Sequence, residues 1–510
     1  QRANTIGIYS FTRLAETVFR KEGGAAGRRL RDGGRRILMS AAIETCQDHL
    51  EVYKNAARTG RVTDLMLTAV DELKMCGLAP AQVTEAAGLP VPAGLSQKLR
   101  ELGLVYAAYE ALVGASYLDS RDDLTRLAQT LEGSDIFKGY TVAVDSFEGF
   151  TVQEMRVLGQ LLRQADTMLV SLCTDGLGLD DCGLFALVDR TRYRLERLAG
   201  DLGIKVLPPV VLTGAPRYKN ENLKLLETQL FCPDQAMTSQ DHSGIEMFQA
   251  RDVFEEAEYV AATIRRLAAG GMRYRDITVI CRNPSQYYGS LDVALEKRGA
   301  PCFMSQPIRV DGEPVCRFLL GAFEVVQEGL DTGALLEMLK TGVTGLSIEE
   351  ISDLENYAFL WRIRGKDWRI PFTRHPQGFG RELTEEDAAL LGRLNELREK
   401  VIPSLERFEK RTADASGKEI AQAAYDLLMD FGLEESLPEY CRRLEMDGED
   451  AISARQLRVL DLLMELLDQM YVLLGEQRVA RDKFYRLLKE VLAAEDVSEI
   501  PQTLDQVIFG

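Results

Sequence analysis

The chain has 510 residues, 46% of them apolar, and a formal net charge of −18. That is enough apolar material for several buried cores, and the length points to about three domains. The acidic balance argues against indiscriminate nucleic-acid binding, and no apolar run reaches the roughly 18 residues that a membrane helix needs.

In chain order, the first strand candidate is TIGIYSF, residues 5–11, followed by an Arg-rich stretch. Residues 1–40 hold eight Arg and one Lys against three carboxylates, a net +6 that leaves −24 for the remainder. Such asymmetry suits a phosphate-facing edge on an acidic body, and equally a solvated Arg-rich helix face. A long helical stretch follows, including LMLTAVDELKMCGL and LSQKLRELGLVYAAYEALV. It is too long for one crossover and reads as an inserted helical subdomain, about 21–115.

Further strand candidates are YTVAVDSF (140–147), TMLVSLCTD (167–175), IKVLPPVVL (204–212), GIEMFQA (244–250), DITVICR (276–282) and APCFMSQ (300–306). Their alternation with helical patterns predicts parallel α/β cores. The polar stretch 232–244, CPDQAMTSQDHSG, is the most linker-like and divides the chain into residues 1–243 and 244–510. The second part starts as α/β, about 244–310, and then turns helical, about 311–500. The fold class expected is therefore α/β with two cores, each carrying a large helical insertion.

The segment YTVAVDSFEGFTVQE carries the sharpest chemical question. A buried strand runs into Asp145, which is how a strand ends at a phosphate-handling edge. In nucleotide-driven motors the next residue is a Glu that polarises the attacking water; here it is Ser146. Asp145 could otherwise simply cap the following helix through backbone N–H groups.

Several of these segments resemble the AddB subunit of the bacterial AddAB helicase-nucleases, a relative of UvrD-like helicases. IYSFTRLAETVF is similar to the family's strand-to-helix DNA-contact segment, and YLDSRDDLTRLAQTLE to its Asp-rich helix. VDSFEGFTVQE stands where UvrD-like motors carry Asp-Glu-x-Gln, and the region from VFEEAEYVAATIRRLAAGG through DITVICR to APCF resembles the opening of a second motor core. LKTGVTGLSIEEISDLENYAFLWRIRG and IPQTLDQVIFG are also similar to AddB. The resemblance implies two RecA-like helicase cores, both incomplete. It implies a degenerate nucleotide motif of Asp145, Ser146, Gln153 and Arg282. It places Ser10, Phe11 and Arg13 on a single-stranded DNA path, with Arg28, Arg29, Arg31, Arg35 and Arg36 leading into the helical insertion. Hydroxyl and guanidinium groups bond phosphate oxygens, and a Phe face accepts any base; the structural alternative for Phe11 is a buried aromatic.

The departures from the family are also informative. A complete member begins with a Gly-rich phosphate loop and ends with a nuclease domain that holds an iron-sulfur cluster and Mg²⁺; neither is expected in this segment, which lacks an initial Met. No G-x-x-x-x-G-K-[ST] occurs: in TADASGKE, Thr412 replaces the first Gly and Glu419 the hydroxyl residue. Tyr288 stands where a working motor has a second Arg after the one matching Arg282.

No catalytic constellation emerges. The nine cysteines show no Cys-x-x-Cys pair, and His49, His242 and His375 lack metal-ligand spacing. Asp122/Asp123 and Asp180/Asp181 lack the follow-up of a metal nuclease, and Trp361 and Trp368, seven apart, read as core or as a base-stacking platform. The expectation is a subunit with neither ATPase nor nuclease activity and no cofactor, which holds single-stranded DNA for an AddA-like motor partner in double-strand break repair by homologous recombination. The start, QRANTIGIYS, has no signal-peptide pattern, so a cytoplasmic location without membrane contact is expected. Two other readings stay open: an active UvrD-like ATPase, and a structural protein-interaction module.

Overall fold

The computed structural model describes residues 6–24, 27–55, 62–114, 117–174, 183–212, 218–231, 238–239, 243–304, 307–379, 382–497 and 505–509. They form a mixed α/β protein, mostly helical, with small sheets. The chain divides into two compact units, residues 1–30 with 41–250, and residues 31–40 with 251–510.

In the first unit, strands β1 (Arg28–Arg29) and β2 (Tyr117–Leu118) form one parallel pair, and β3 (Thr141–Val144) and β4 (Thr167–Val170) another. Parallel neighbours need a crossover, and the helix Val152–Gln164 supplies it. Its start is set by a reciprocal cap: Thr151 Oγ1 accepts from the Glu154 amide at 3.2 Å, and Glu154 accepts from the Thr151 amide at 2.7 Å. The face Val157, Leu158 and Leu161 packs with Ala15, Val18 and Phe19 of the helix Phe11–Glu22 and with Leu127 and Leu131 of the helix Asp123–Glu132.

The helical insertion is ordered by buried charge. Lys74 Nζ meets Asp122 at 2.7 Å, Glu110 at 2.8 Å and Asp119 at 3.0 Å, and the Asp119 carboxylate also accepts from the Tyr109 hydroxyl at 2.9 Å. Burial pulls Lys74 down, but these three carboxylates outweigh it and hold the ammonium above its ordinary value. Burial pushes Asp122 up to about 6, with Lys74 opposing and Glu110 and Asp119 adding to the rise. Nearby, buried Glu101 accepts the amides of Glu51, Val52 and Tyr53 at 2.9, 2.9 and 3.1 Å. Burial alone would raise Glu101, yet these donors hold it below its usual range.

In the second unit, β5 (Thr278–Val279), β6 (Cys302–Met304) and β9 (Val507–Phe509) form a parallel sheet in the order β5, β9, β6. Its core includes Ala257, Ala261 and Ile264 of the helix Val253–Ala269 and Leu291 and Leu295 of the helix Leu291–Lys297. Between β6 and β9 lies an all-helical body with one continuous core, from Val315 through Phe323, Leu405 and Leu463 to Leu492. Its entry and exit are clasped by the antiparallel pair β7 (Ile308–Arg309) and β8 (Asp496–Val497). The Trp361 and Trp368 indoles are both buried in this core, and Trp368 Nε1 donates to Thr332 Oγ1 at 3.0 Å.

Three strand expectations are not realised. Residues 6–10, 204–212 and 244–250 form no ladder among the described residues. An apolar run becomes a strand only when a neighbour takes up its N–H and C=O groups, and Ile8, Leu212 and Met247 instead stand about nine-tenths exposed (87%, 90% and 96%). TADASGKE proves to be a helix start: Ser416 and Glu419 form a reciprocal cap on the helix Gly417–Asp430. His49 lies in a short turn, His375 faces Asp387 at 3.4 Å, and His242, Asp180, Asp181, Cys182 and Cys232 lie outside the described residues.

The Lys74 cluster yields a stability prediction. Lys74→Met leaves the fully buried Asp119 without its cation, so unfolding free energy should fall by about 3–5 kcal/mol at pH 8. A carboxyl whose folded value lies above its unfolded value takes up a proton on folding. The Asp122 contribution therefore rises as pH falls through about 6 and levels off below the ordinary value of 3.8. Urea unfolding from pH 8 to pH 4 should show wild type gaining on Asp122→Asn over that window; parallel curves would refute the assignment.

Candidate nucleic-acid interface

Strand β3 ends at Val144, and the chain then reverses through Asp145 and Ser146. Ser146 adopts the left-handed conformation, φ +65°, a region that costs a side-chain-bearing residue about 1–2 kcal/mol. What holds it there is visible in the next four residues. Phe147 and Phe150 turn back and pack together with centroids 5.1 Å apart. Phe11, the first residue of the helix Phe11–Glu22, meets them edge-on at 5.6 Å and 6.2 Å. Phe11 thus starts a helix rather than ending a strand, because the Ser10 hydroxyl accepts the Arg13 amide at 3.3 Å and caps it.

The loop after β3 is fixed from the other side as well. Thr191 Oγ1 donates to the Glu148 carbonyl at 2.9 Å, and Arg194 Nη1 to the Phe150 carbonyl at 3.2 Å, both from the helix Ala186–Asp201. Asp145 is exposed at the carboxyl end of β3, where parallel sheets present their ligand crevice. Its carboxylate accepts from the Ser171 hydroxyl, which stands just past the end of β4. Ser146 is also exposed. Gln153 is buried, and its amide donates to the Arg121 carbonyl and to Thr125 Oγ1, both at 3.0 Å, so it ties two helices together. The edge offers a single carboxylate, engaged by a hydroxyl, and Ser146 adds no second one.

The structure brings Ser10, Phe11 and Arg13 together with Asp145 and Ser146 through the three Phe rings. The members of the Arg run differ in how they are paired. Arg13 and Arg28 are exposed with no carboxylate paired to them among the described residues. Arg29 Nη1 meets the buried Asp123 carboxylate at 2.9 Å, and Arg31 Nε meets Glu465 at 2.5 Å. Arg35 is buried beside Asp32, and Arg36 is half-buried and engaged within the fold. Arg28 and Arg29 also belong to the first unit, while Arg31, Arg35 and Arg36 belong to the second. Arg282 is exposed in the second unit, just beyond β5. Phe147, Phe150, Ser171, Thr191 and Arg194 escaped the sequence reading; the pair of Phe three residues apart in SFEGF was the available signal.

Among the described residues no group of three or more His, Cys, Asp or Glu side chains has metal-binding geometry, and no helix is long and apolar enough to cross a membrane. The described cysteines are unpaired; burial pushes the Cys302 thiol up to about 11 and Cys316 higher still.

Residues 2–227 match the family model described as ADDB, N-terminal. Relatives over nearly the whole chain are named as the B-type component of an ATP-dependent helicase/deoxyribonuclease. The Caldanaerobacter subterraneus protein is 29% identical over 98% of this chain and 44% of its own length. Those of Ruminiclostridium cellulolyticum and Acetivibrio thermocellus are each 28% identical over 99% of this chain and 45% of their own length. The similarity is thus to proteins named as the second subunit of a helicase-deoxyribonuclease. The chain is similar to the AddB family, and it spans a little under half the length of the curated relatives it matches.

The paired and unpaired arginines should separate on mutation. Arg29→Ala removes one of the two cations on buried Asp123, and because its side chain is 40% exposed the loss should be modest, about 1 kcal/mol. Arg28→Ala should stay within about 0.5 kcal/mol. Urea melts of the two variants test this; equal stabilities would refute the structural role of Arg29.

Proposed function

We propose that this chain is the DNA-holding, non-hydrolysing part of an AddB-type subunit, built on two helicase-like cores, residues 1–243 and 244–510, each with a helical insertion. It grips single-stranded DNA while a partner motor and nuclease subunit of the AddA type translocates, in double-strand break repair by homologous recombination. In the family this subunit also takes part in recognising a recombination hotspot sequence. Iron-sulfur and Mg²⁺ chemistry would belong to other parts of the full-length protein.

The observation that carries the reading is the convergence of Ser10, Arg13 and the Phe11–Phe147–Phe150 cluster at the carboxyl end of β3, beside a strand end that offers one carboxylate instead of two. Arg13 supplies a free guanidinium for phosphate, and the half-buried rings of Phe11 and Phe147 offer apolar surface to a base. Without a second carboxylate or a phosphate cradle, the same edge has no means to activate water.

Two measurements test this. Phosphate release from ATP, with and without single-stranded DNA, should stay far below the turnover of about 1 per second ordinary for phosphoryl-transfer enzymes, and Ser146→Glu should not raise it. Turnover near that rate would refute the reading and favour an active motor. In anisotropy titrations with a labelled oligonucleotide, Arg13→Ala with Arg28→Ala should reduce the slope of log K against log salt by about 1.4, from about 0.7 per phosphate contact. Phe11→Ala should weaken binding by about 1–3 kcal/mol with the slope unchanged. An unaltered slope in the double Arg variant would move the DNA path elsewhere.

A further inference from the structure

We propose that a second surface, in the second unit, binds single-stranded nucleic acid: the end of the helix Ile348–Trp361 and the turn after it, with Phe359, Arg362, Arg364, Lys366 and Phe379 as its contact residues. This goes beyond the first site, which lies in the other unit. In this chain of net charge −18, residues 359–379 hold five Arg and Lys against one Asp, a net +4.

Within the segment Arg369 is neutralised by Glu406 and Glu409, and in the same unit Arg407 is paired with Asp430 and Arg442 with Glu439. Arg362, Arg364 and Lys366 are exposed and lack such a partner among the described residues. The one acid of the segment, Asp367, is turned instead to the Arg364 backbone amide at 3.3 Å. Cations near a helix C-terminus gain a few tenths of a kcal/mol from its dipole, about 0.3–1 each. That accounts for Arg362 at the cap but not for two further charges in the turn beyond it.

The aromatic half of the surface is held rigidly. The Trp361 indole is buried, donates to the His375 carbonyl at 2.9 Å and carries the Arg374 guanidinium 5.0 Å from its ring centre. Phe379 leans on the Trp361 ring edge-on, centroids 4.4 Å apart, yet is 90% exposed. Phe359, on the last turn of the same helix, is 63% exposed. The tryptophans are therefore not the stacking platform; Trp361 is the anchor against which the exposed Phe379 packs. Phosphates demand the cations and unpaired bases the rings, a combination that a single strand offers and a duplex hides. An acidic protein segment would satisfy the cations alone.

The test is anisotropy on the full chain with a labelled poly-dT oligonucleotide, a duplex of equal length and a labelled poly-Glu peptide, at several salt concentrations. The variant Arg362→Ala, Arg364→Ala, Lys366→Ala should lower the single-strand salt slope by about 2, at about 0.7 per contact. Phe379→Ala should weaken single-strand binding roughly 5- to 150-fold, the equivalent of about 1–3 kcal/mol per stacked base, with the slope intact. All four side chains are exposed, so both variants should keep the wild-type melting temperature; Arg364→Glu, with an even larger loss of binding, is the check should the triple variant melt early. Unchanged affinity and slope in these variants overturn the proposal, as does duplex or poly-Glu binding as tight as the single strand. Loss with Arg13→Ala but not with these variants overturns this surface and leaves the first; the opposite pattern overturns the first and supports this one.

Discussion

The contact of Phe11 with Phe147 and Phe150 is the constraint from which the candidate interface follows. Each aromatic pair adds about 0.5–1.5 kcal/mol beyond the area it buries, and this trio joins the start of one helix to the loop that leaves β3. With Phe11 docked, the Ser10 cap and Arg13 are carried to the carboxyl end of the sheet. With Phe147 and Phe150 drawn inward, Ser146 is forced into the left-handed region, and the same packing offsets that cost. A side chain at position 146 therefore projects from a strained, exposed corner.

Charge is distributed by pairing more than by composition. The N-terminal arginine run looks uniform when read along the chain, yet in the fold Arg29, Arg31 and Arg35 each face a carboxylate, while Arg13 and Arg28 are exposed and have none among the described residues. The reverse holds at Lys74, where one ammonium faces three carboxylates in a buried cluster. Its desolvation cost is large, and the gain is a fixed arrangement of the helix Thr63–Met75, the helix Ala93–Gly114 and the turn at Ser120–Asp122. In a strongly acidic protein, the cations that stay unpaired are where a polyanion can displace counterions.

The second unit shows how a helical body of nearly two hundred residues is accommodated inside an α/β core. It enters at β7 and leaves at β8, and the antiparallel pairing of these two strands, Ile308 with Val497 and Arg309 with Asp496, brings the ends of the insertion together. Loop-closure entropy grows only logarithmically with length, so a long insertion is tolerated if its ends are joined and it has a core of its own. Both conditions are met, and β9 then returns to sit between β5 and β6.

Much of this was legible in the residues alone. Local rules sufficed for β3, β4 and the long helical stretch after residue 310, because periodicity acts over a few residues. The Ser at position 146 was also readable, since a missing carboxylate is a property of composition. What only the tertiary structure decided were relations between distant segments. β9 is central to its sheet although its partners lie about two hundred residues earlier. The apolar runs 204–212 and 244–250 form no ladder, since strand formation depends on a neighbour and not on the run itself. Whether an arginine is free depends on which carboxylate folding brings beside it, and whether Phe11 can stack on a base depends on two rings some 136 and 139 positions away. Sequence specifies which groups exist and their local geometry; pairing and burial, which set their energies, arise only when the chain closes on itself.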